Sequence, residues 1–214
     1  MRKSRIETAE TRKRIVATAS RVFLTRGLAA TSIADIMVAA GLTQGGFYRH
    51  FGSKEQLVAE ANDAAFGQLM DMFERAVAGK PPREALDAIV SSYLHQLQSE
   101  DPAYLCPLAN LGSELRHADE QVKATTVDGY VRVVRLVAQQ TQQLGIAGHA
   151  DVAKAIVYTL MGAVTLSGLA PDPDAVEAIV LNAQNVVRVL LQCSPQANVP
   201  TRKRRSSQAE SAKA

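Results

Sequence analysis

"TSIADIMVAAGLTQGGFYRHFGSK", residues Thr31 to Lys54, holds two short helical patterns separated by a turn. In the first, Ile33, Ile36, Met37 and Ala40 share one face, with Thr31 or Ser32 as its cap and Gly41 as its stop. After "AGLTQ" a second short helix opens behind Thr43, a candidate N-cap, and Phe47 and Phe51, four residues apart, turn inward onto the helices before them. Gln44, Gly45, Tyr48 and Arg49 are left on the outer side. Glycine costs roughly 1 kcal/mol relative to alanine inside a helix, so the adjacent Gly45 and Gly46 need a reason. Without side chains they let the backbone approach a phosphate or a base edge, and first-turn N–H groups have no partner within their helix.

Two short helices joined in this way match a helix-turn-helix, whose second helix enters the DNA major groove. The neighbouring side chains suit that reading. Tyr48 and His50 offer hydrogen bonds to phosphate, and Thr31 and Lys54 stand at helix starts, where an anion is welcome. Arg49 fits a guanine O6/N7 edge and Gln44 an adenine. A lone surface Tyr or Lys means little; their concentration within so short a stretch carries the argument.

Charge is divided along the chain. The net charge is only +3, yet residues 1–54 carry 10 Lys/Arg against 3 Asp/Glu, while residues 55–199 carry 9 against 17. The end from Pro200 carries 5 against 1. A basic front and an acidic middle suggest that the front meets a polyanion and the middle does something else.

Outward from the opening stretch, Ile15, Ala19, Val22 and Phe23 mark a helix from Thr8 to Arg26, stopped by Gly27. Downstream, Ser53 and Gln56 form an S-x-x-Q capping box that starts a long connecting helix to about Ala78. "GKPP" at Gly79–Pro82 breaks the chain, and the spacing then predicts helices around Leu86–Leu97, Leu108–Leu115 and Ala118–Leu144. The last pair is expected at about Asp151–Leu169 and Asp174–Cys193. No segment alternates with period two, so the fold class is all-α: a three-helix helix-turn-helix domain, residues 1–54, joined by a long helix to a helical ligand-binding and dimerisation domain, residues 55–195. Residues 196–214 are read as a basic disordered tail.

The final pair is apolar nearly all round, so it belongs either to the core or to a four-helix interface with a second copy, and self-association is the favoured reading. The longest apolar stretch, Ala155 to Ala170, is shorter than a membrane span. Cys106 and Cys193 suggest neither a disulfide framework nor a zinc site, and no metal or cofactor is expected. A cytoplasmic protein fits these features.

Thr11 to Ala61 resembles the DNA-binding domain of TetR-type transcriptional repressors, including F-Y-x-H-F-x-S-K as Phe47, Tyr48, His50, Phe51, Ser53 and Lys54. The resemblance implies a dimeric repressor that binds a palindromic operator in double-stranded DNA and leaves it when a small-molecule inducer enters the C-terminal domain. Carried over residue by residue, Thr31, Tyr48, His50 and Lys54 would hold phosphates, and Thr43, Gln44, Gly45, Gly46 and Arg49 would lie at base edges. Many members carry a side chain where this chain has Gly46.

"CPLANLGSEL", Cys106 to Leu115, resembles a segment that opens the helix beside the effector cavity in a subset of that family. Cys106 precedes Pro107, and a thiol at a helix N-terminus has its pKa lowered, as a sensor of electrophiles or oxidants requires. The alternative is a small buried hydrophobe. Tyr93, Asn110, Tyr130, Tyr158 and Met161 are further candidates for lining the cavity, against the plainer role of core packing. Two rivals stand beside the repressor: a sequence-independent DNA-binding protein, and an enzyme using Cys106 with His95 or His117 as base, which no local spacing supports.

Overall fold

The computed structural model describes residues 5–97 and 105–192. Within them lie α1 (Arg5–Arg26), α2 (Ile33–Ala39), a 3-10 helix η1 (Gln44–Arg49), α3 (Lys54–Val77), α4 (Pro82–His95), α5 (Pro107–Leu115), α6 (Glu120–Gln143), α7 (His149–Ser167) and α8 (Pro173–Gln192). No strand occurs among the described residues, so the fold is all-α. Cys193 and the basic tail lie outside the described residues.

Local chemistry sets most of these boundaries. α1 ends where Gly27, at φ 86°, donates its N–H to Phe23 O at 2.8 Å in a left-handed stop that suits glycine. Ser32 rather than Thr31 caps α2, and Asp35 returns the bond to the Ser32 N–H in a full capping box. At α3 the Ser53 hydroxyl accepts from the Gln56 N–H at 3.1 Å. The expected second half of that box is displaced by one residue, because Gln56 Oε1 accepts from the Gly52 N–H at 2.8 Å.

The helix expected after Thr43 is instead the six-residue 3-10 helix η1. Two glycines weaken the preference for an α turn, and Thr43 makes no side-chain capping bond to favour one. The two-faced character persists, with Phe47 0% and Phe51 2% exposed.

Two hydrophobic cores stand along α3. One gathers Ile15, Phe23, Ile36, Met37, Phe47 and Phe51 around Leu57, Val58 and Ala61 of α3. It also takes in Leu111 and Leu115 of α5 and Val122 of α6. The other holds Phe66, Leu69 and Phe73 of α3 against α4, α6, α7 and α8, with Cys106 at its edge. The expected division at residue 54 therefore falls inside shared packing. Where α6 crosses α3, Gly129 lies flat against the fully buried Phe66 ring.

The last pair divides unequally. α7 buries Ile156, Val157, Leu160, Ala163 and Val164, whereas α8 buries only Ala183 and Val187. Leu166, Leu169, Leu181, Val186 and Val189 stay exposed, so this pair is not wholly buried within one chain. Among the described residues α7 is also the one helix long and apolar enough to cross a membrane, at a mean hydropathy of 1.2, and it packs between α6 and α8.

Candidate nucleic-acid interface

η1 is held from behind. Phe47 stacks on Phe51 at 5.5 Å, and Tyr48 meets the Phe47 ring edge-on at 5.1 Å. On the outside, Thr43, Gln44, Gly45, Tyr48 and Arg49 are exposed, Tyr48 by 72%. The set includes the Gln44, Gly45, Tyr48 and Arg49 that the spacing predicts outward, with Thr43 at the cap. Neither glycine is demanded by the fold: neither has positive φ, a Cβ at Gly45 would meet nothing within 4 Å, and one at Gly46 would touch only Met37 Cε at 3.6 Å.

His50 closes η1, donating its N–H to Phe47 O at 2.8 Å, and its side chain is half-buried. Its carbonyl accepts from Arg12 Nε at 3.3 Å. Arg12 also pairs with Glu60 through both terminal nitrogens at 2.5 Å and lies 4.6 Å over the Phe51 ring. This bidentate, stacked arginine fastens α1 to α3 and to the end of η1, so one of the basic residues in the front segment serves the scaffold. Sequence reasoning missed it, because its partner lies 48 residues away.

Two of the expected phosphate holders make bonds within the fold. Thr31 is 1% exposed and its hydroxyl donates to Gly27 O at 2.7 Å, so the structure removes it from the contact face. Lys54 is half-buried and donates to Leu28 O at 2.8 Å, leaving two of its three donors uncommitted. Both hold the turn between α1 and α2.

Five of the six candidate effector residues form two groups: Tyr93, Cys106 and Asn110 meet at the start of α5, and Tyr130 pairs with Tyr158 on the outer face of α6 and α7. Cys106 precedes α5 as its N-cap, as expected, but it is 3% exposed. Burial pushes its thiol pKa up, outweighing the lowering by the Tyr93 hydroxyl and the backbone N–H groups of Ala109 and Leu108. Of the two readings of Cys106, this burial favours the small buried hydrophobe over the sensor. Tyr93, 2% exposed, stacks on Phe73 at 6.2 Å, and burial raises its pKa well above the ordinary range.

Asn110 is exposed and donates to Cys106 O at 2.8 Å. Tyr130 and Tyr158 stack at 6.1 Å on the outer face of α6 and α7, joined hydroxyl to hydroxyl at 2.9 Å. Desolvation first and the Tyr158 hydroxyl second push Tyr130 up to about 12. Met161 is half-buried on α7. None of the six lines the open cleft of about 850 Å³ between α4 and α8, walled by residues that include His95, Asp172, Glu177 and Val180.

In the native chain a thiol reagent should modify Cys106 on the order of 100-fold more slowly than in the denatured chain at pH 8, by mass spectrometry of the peptide. Comparable rates in the two states would restore the sensor.

A helix-turn-helix that shows polar side chains outward and two phenylalanines inward defines a DNA-binding protein. The family described as "Bacterial regulatory proteins, tetR family" matches residues 15–61, and "Transcriptional regulator LmrA/YxaF-like, C-terminal domain" matches residues 82–180. An HTH-type transcriptional regulator of Mycobacterium tuberculosis (strain CDC 1551 / Oshkosh) is 30% identical over 187 residues, covering 82% of this chain and 93% of the relative. The HTH-type transcriptional regulator YerO of Bacillus subtilis is 27% identical over 180 residues, 80% of this chain and 62% of its own length. The crystal structure of a TetR transcriptional regulator from Chloroflexus aurantiacus superposes with a TM-score of 0.74 at 27% identity, covering 86% of this chain and 96% of that one. The chain belongs to the TetR family of transcriptional regulators.

Proposed function

We propose that the chain is a ligand-responsive repressor that acts in the cytoplasm, binds a palindromic operator as a homodimer and is released by a small-molecule inducer held in the regulatory domain. The observation that carries this reading is η1, with Gln44, Gly45, Tyr48 and Arg49 displayed over buried Phe47 and Phe51. The exposed apolar residues of α7 and α8 support pairing of this helix hairpin with a second copy. Such a dimer sets two reading elements about one DNA turn apart, roughly 34–36 Å, or a multiple of it. An inducer that binds better to a state with another spacing shifts the population off the operator.

Selection of binding sites from random duplex DNA at near-physiological salt tests the reading. Recovery of a palindrome supports it; recovery of sites without symmetry or preference points to a sequence-independent DNA-binding protein instead.

Side-chain roles separate by their signatures. Arg49→Ala should relax preference at one position of each half-site, at about 1–3 kcal/mol of lost discrimination, whereas Tyr48→Phe and Lys54→Ala should weaken all duplexes alike. Gly45→Ala should leave thermal stability level or slightly raised, since the added methyl meets nothing within the chain, yet weaken operator binding about tenfold. Titrations of one selected and one scrambled duplex read all four variants. Unchanged affinity and preference throughout would remove this face from DNA recognition.

A further inference from the structure

α5 is nine residues long and touches both cores. Cys106, at its start, lies in the regulatory core, and the Cys106 N–H donates to Gln96 Oε1 of the segment after α4 at 3.0 Å. Thr165 of α7 donates to Ala109 O at 3.2 Å. At the other end Leu111 and Leu115 complete the core under the helix-turn-helix. Beside them, Glu114 accepts from the N–H of Leu28 at 3.1 Å and from that of Ala29 at 2.6 Å, one carboxylate oxygen each, across more than 80 residues of sequence.

The turn is built to receive this carboxylate. Gly27 has φ +86°, and a Cβ there would stand 2.7 Å from Glu114 Oε1. Two carbonyls of the turn are also bound: that of Gly27 accepts from Thr31 and that of Leu28 from Lys54. Glu114 itself occupies the last turn of α5, where a negative charge opposes the helix dipole, so its position does not serve α5. What it gains is two charge-assisted bonds to backbone that leads directly into the Ser32 cap of α2. α2 in turn carries Met37, which packs in one core with Phe47 of η1.

We propose that Glu114 is the positioning residue through which the regulatory domain sets the placement of the DNA-reading face, and so the half-site spacing that the dimer accepts. The inference rests on the repressor reading above and adds the contact through which displacement of α5 reaches η1. Ala29 is exposed and Glu114 half-buried on the wall of an open cleft, so loss of the clamp exposes the two amides to water and frees the turn without opening the core.

The test uses the full chain, wild type and Glu114→Gln, which sets an NH2 where one carboxylate oxygen accepted. Amide hydrogen exchange at Leu28 and Ala29 should rise at least about tenfold in Glu114→Gln while that at Leu24 in α1 stays within about twofold, a local loosening separate from global unfolding. Binding is then measured to the selected palindrome and to the same site with one base pair inserted between half-sites. Wild type should lose about tenfold or more on insertion and Glu114→Gln less than about threefold, with equal salt slopes because phosphate contacts are untouched. Glu114→Ala should follow Glu114→Gln. Unchanged exchange, or the same insertion penalty in variant and wild type, would overturn the inference alone. A wild-type chain that selects no symmetric site would overturn the repressor reading, and this inference with it.

Discussion

Gly129→Ala should destabilise the protein by about 3 kcal/mol, toward the upper end of what overpacking a well-filled core costs. On a chain of this size that corresponds to a fall of about 6–12 °C in Tm. The cause is specific. A Cβ built at Gly129 of α6 would overlap Cδ2, Cγ and Cε2 of Phe66, which is fully buried on α3. α3 and α6 pack together more extensively than any other pair of elements among the described residues, so the extra methyl drives apart the helices around which both cores are assembled. Gly67→Ala on α3 is the matched control, because a Cβ there meets nothing within 4 Å and alanine is the better helix former by up to about 1 kcal/mol. Thermal melts followed by circular dichroism decide the matter: similar Tm values for the two variants would mean that the Phe66 ring moves aside.

Leu181→Glu should convert the proposed dimer to monomer and lower operator affinity on the order of 100-fold. Leu181 is 52% exposed on α8, with Val186 and Val189 also exposed, and only Ala183 and Val187 of this helix are buried. If this surface pairs with a second copy, a carboxylate on it must be desolvated without a partner, which costs more than the leucine contact it replaces. Each half-site is then bound alone, without the gain in effective concentration that a linked second reading element supplies. Sedimentation of wild type and variant, followed by titration of the selected duplex, separates the steps. A variant that stays dimeric would place the interface elsewhere; a monomer with unchanged affinity would sever dimerisation from DNA binding.

The parts of the molecule legible in the sequence are those that local chemistry specifies. Gly27 and Gly41 end helices because the following turn needs positive φ, and both have it. Ser53 caps α3 for the same kind of short-range reason. The inward Phe47 and Phe51 and the outward Gln44, Tyr48 and Arg49 also follow from spacing alone, even though the helical pitch changed. What spacing could not reveal is where a polar group finds its partner. Thr31 and Lys54 look alike as helix-start residues, but Thr31 bonds back to Gly27 within its own turn, and only the fold brings the Leu28 carbonyl to Lys54. Cys106 shows the limit in energetic terms. Its place at a helix N-terminus is read correctly, but the dipole that lowers a thiol pKa is a local effect, and the desolvation that overrides it comes from residues packed in from elsewhere. Glu114 carried no signal of its own, since a glutamate on a nine-residue helix looks like any solvated charge until Leu28 and Ala29 are placed beside it.

Sharing of one core between reading head and regulatory body also bears on how such proteins diversify. Motif boundaries invite the view that the first 54 residues are an interchangeable cassette. Here Leu111, Leu115 and Val122 form part of the hydrophobic floor beneath that cassette. Transplanted alone onto another regulator, the head would arrive with that floor missing and the α1–α2 turn without its acceptor. Inheritance of a new operator preference therefore involves a discontinuous unit, head plus α5 and the start of α6, and recombination at the sequence boundary would separate what the packing joins.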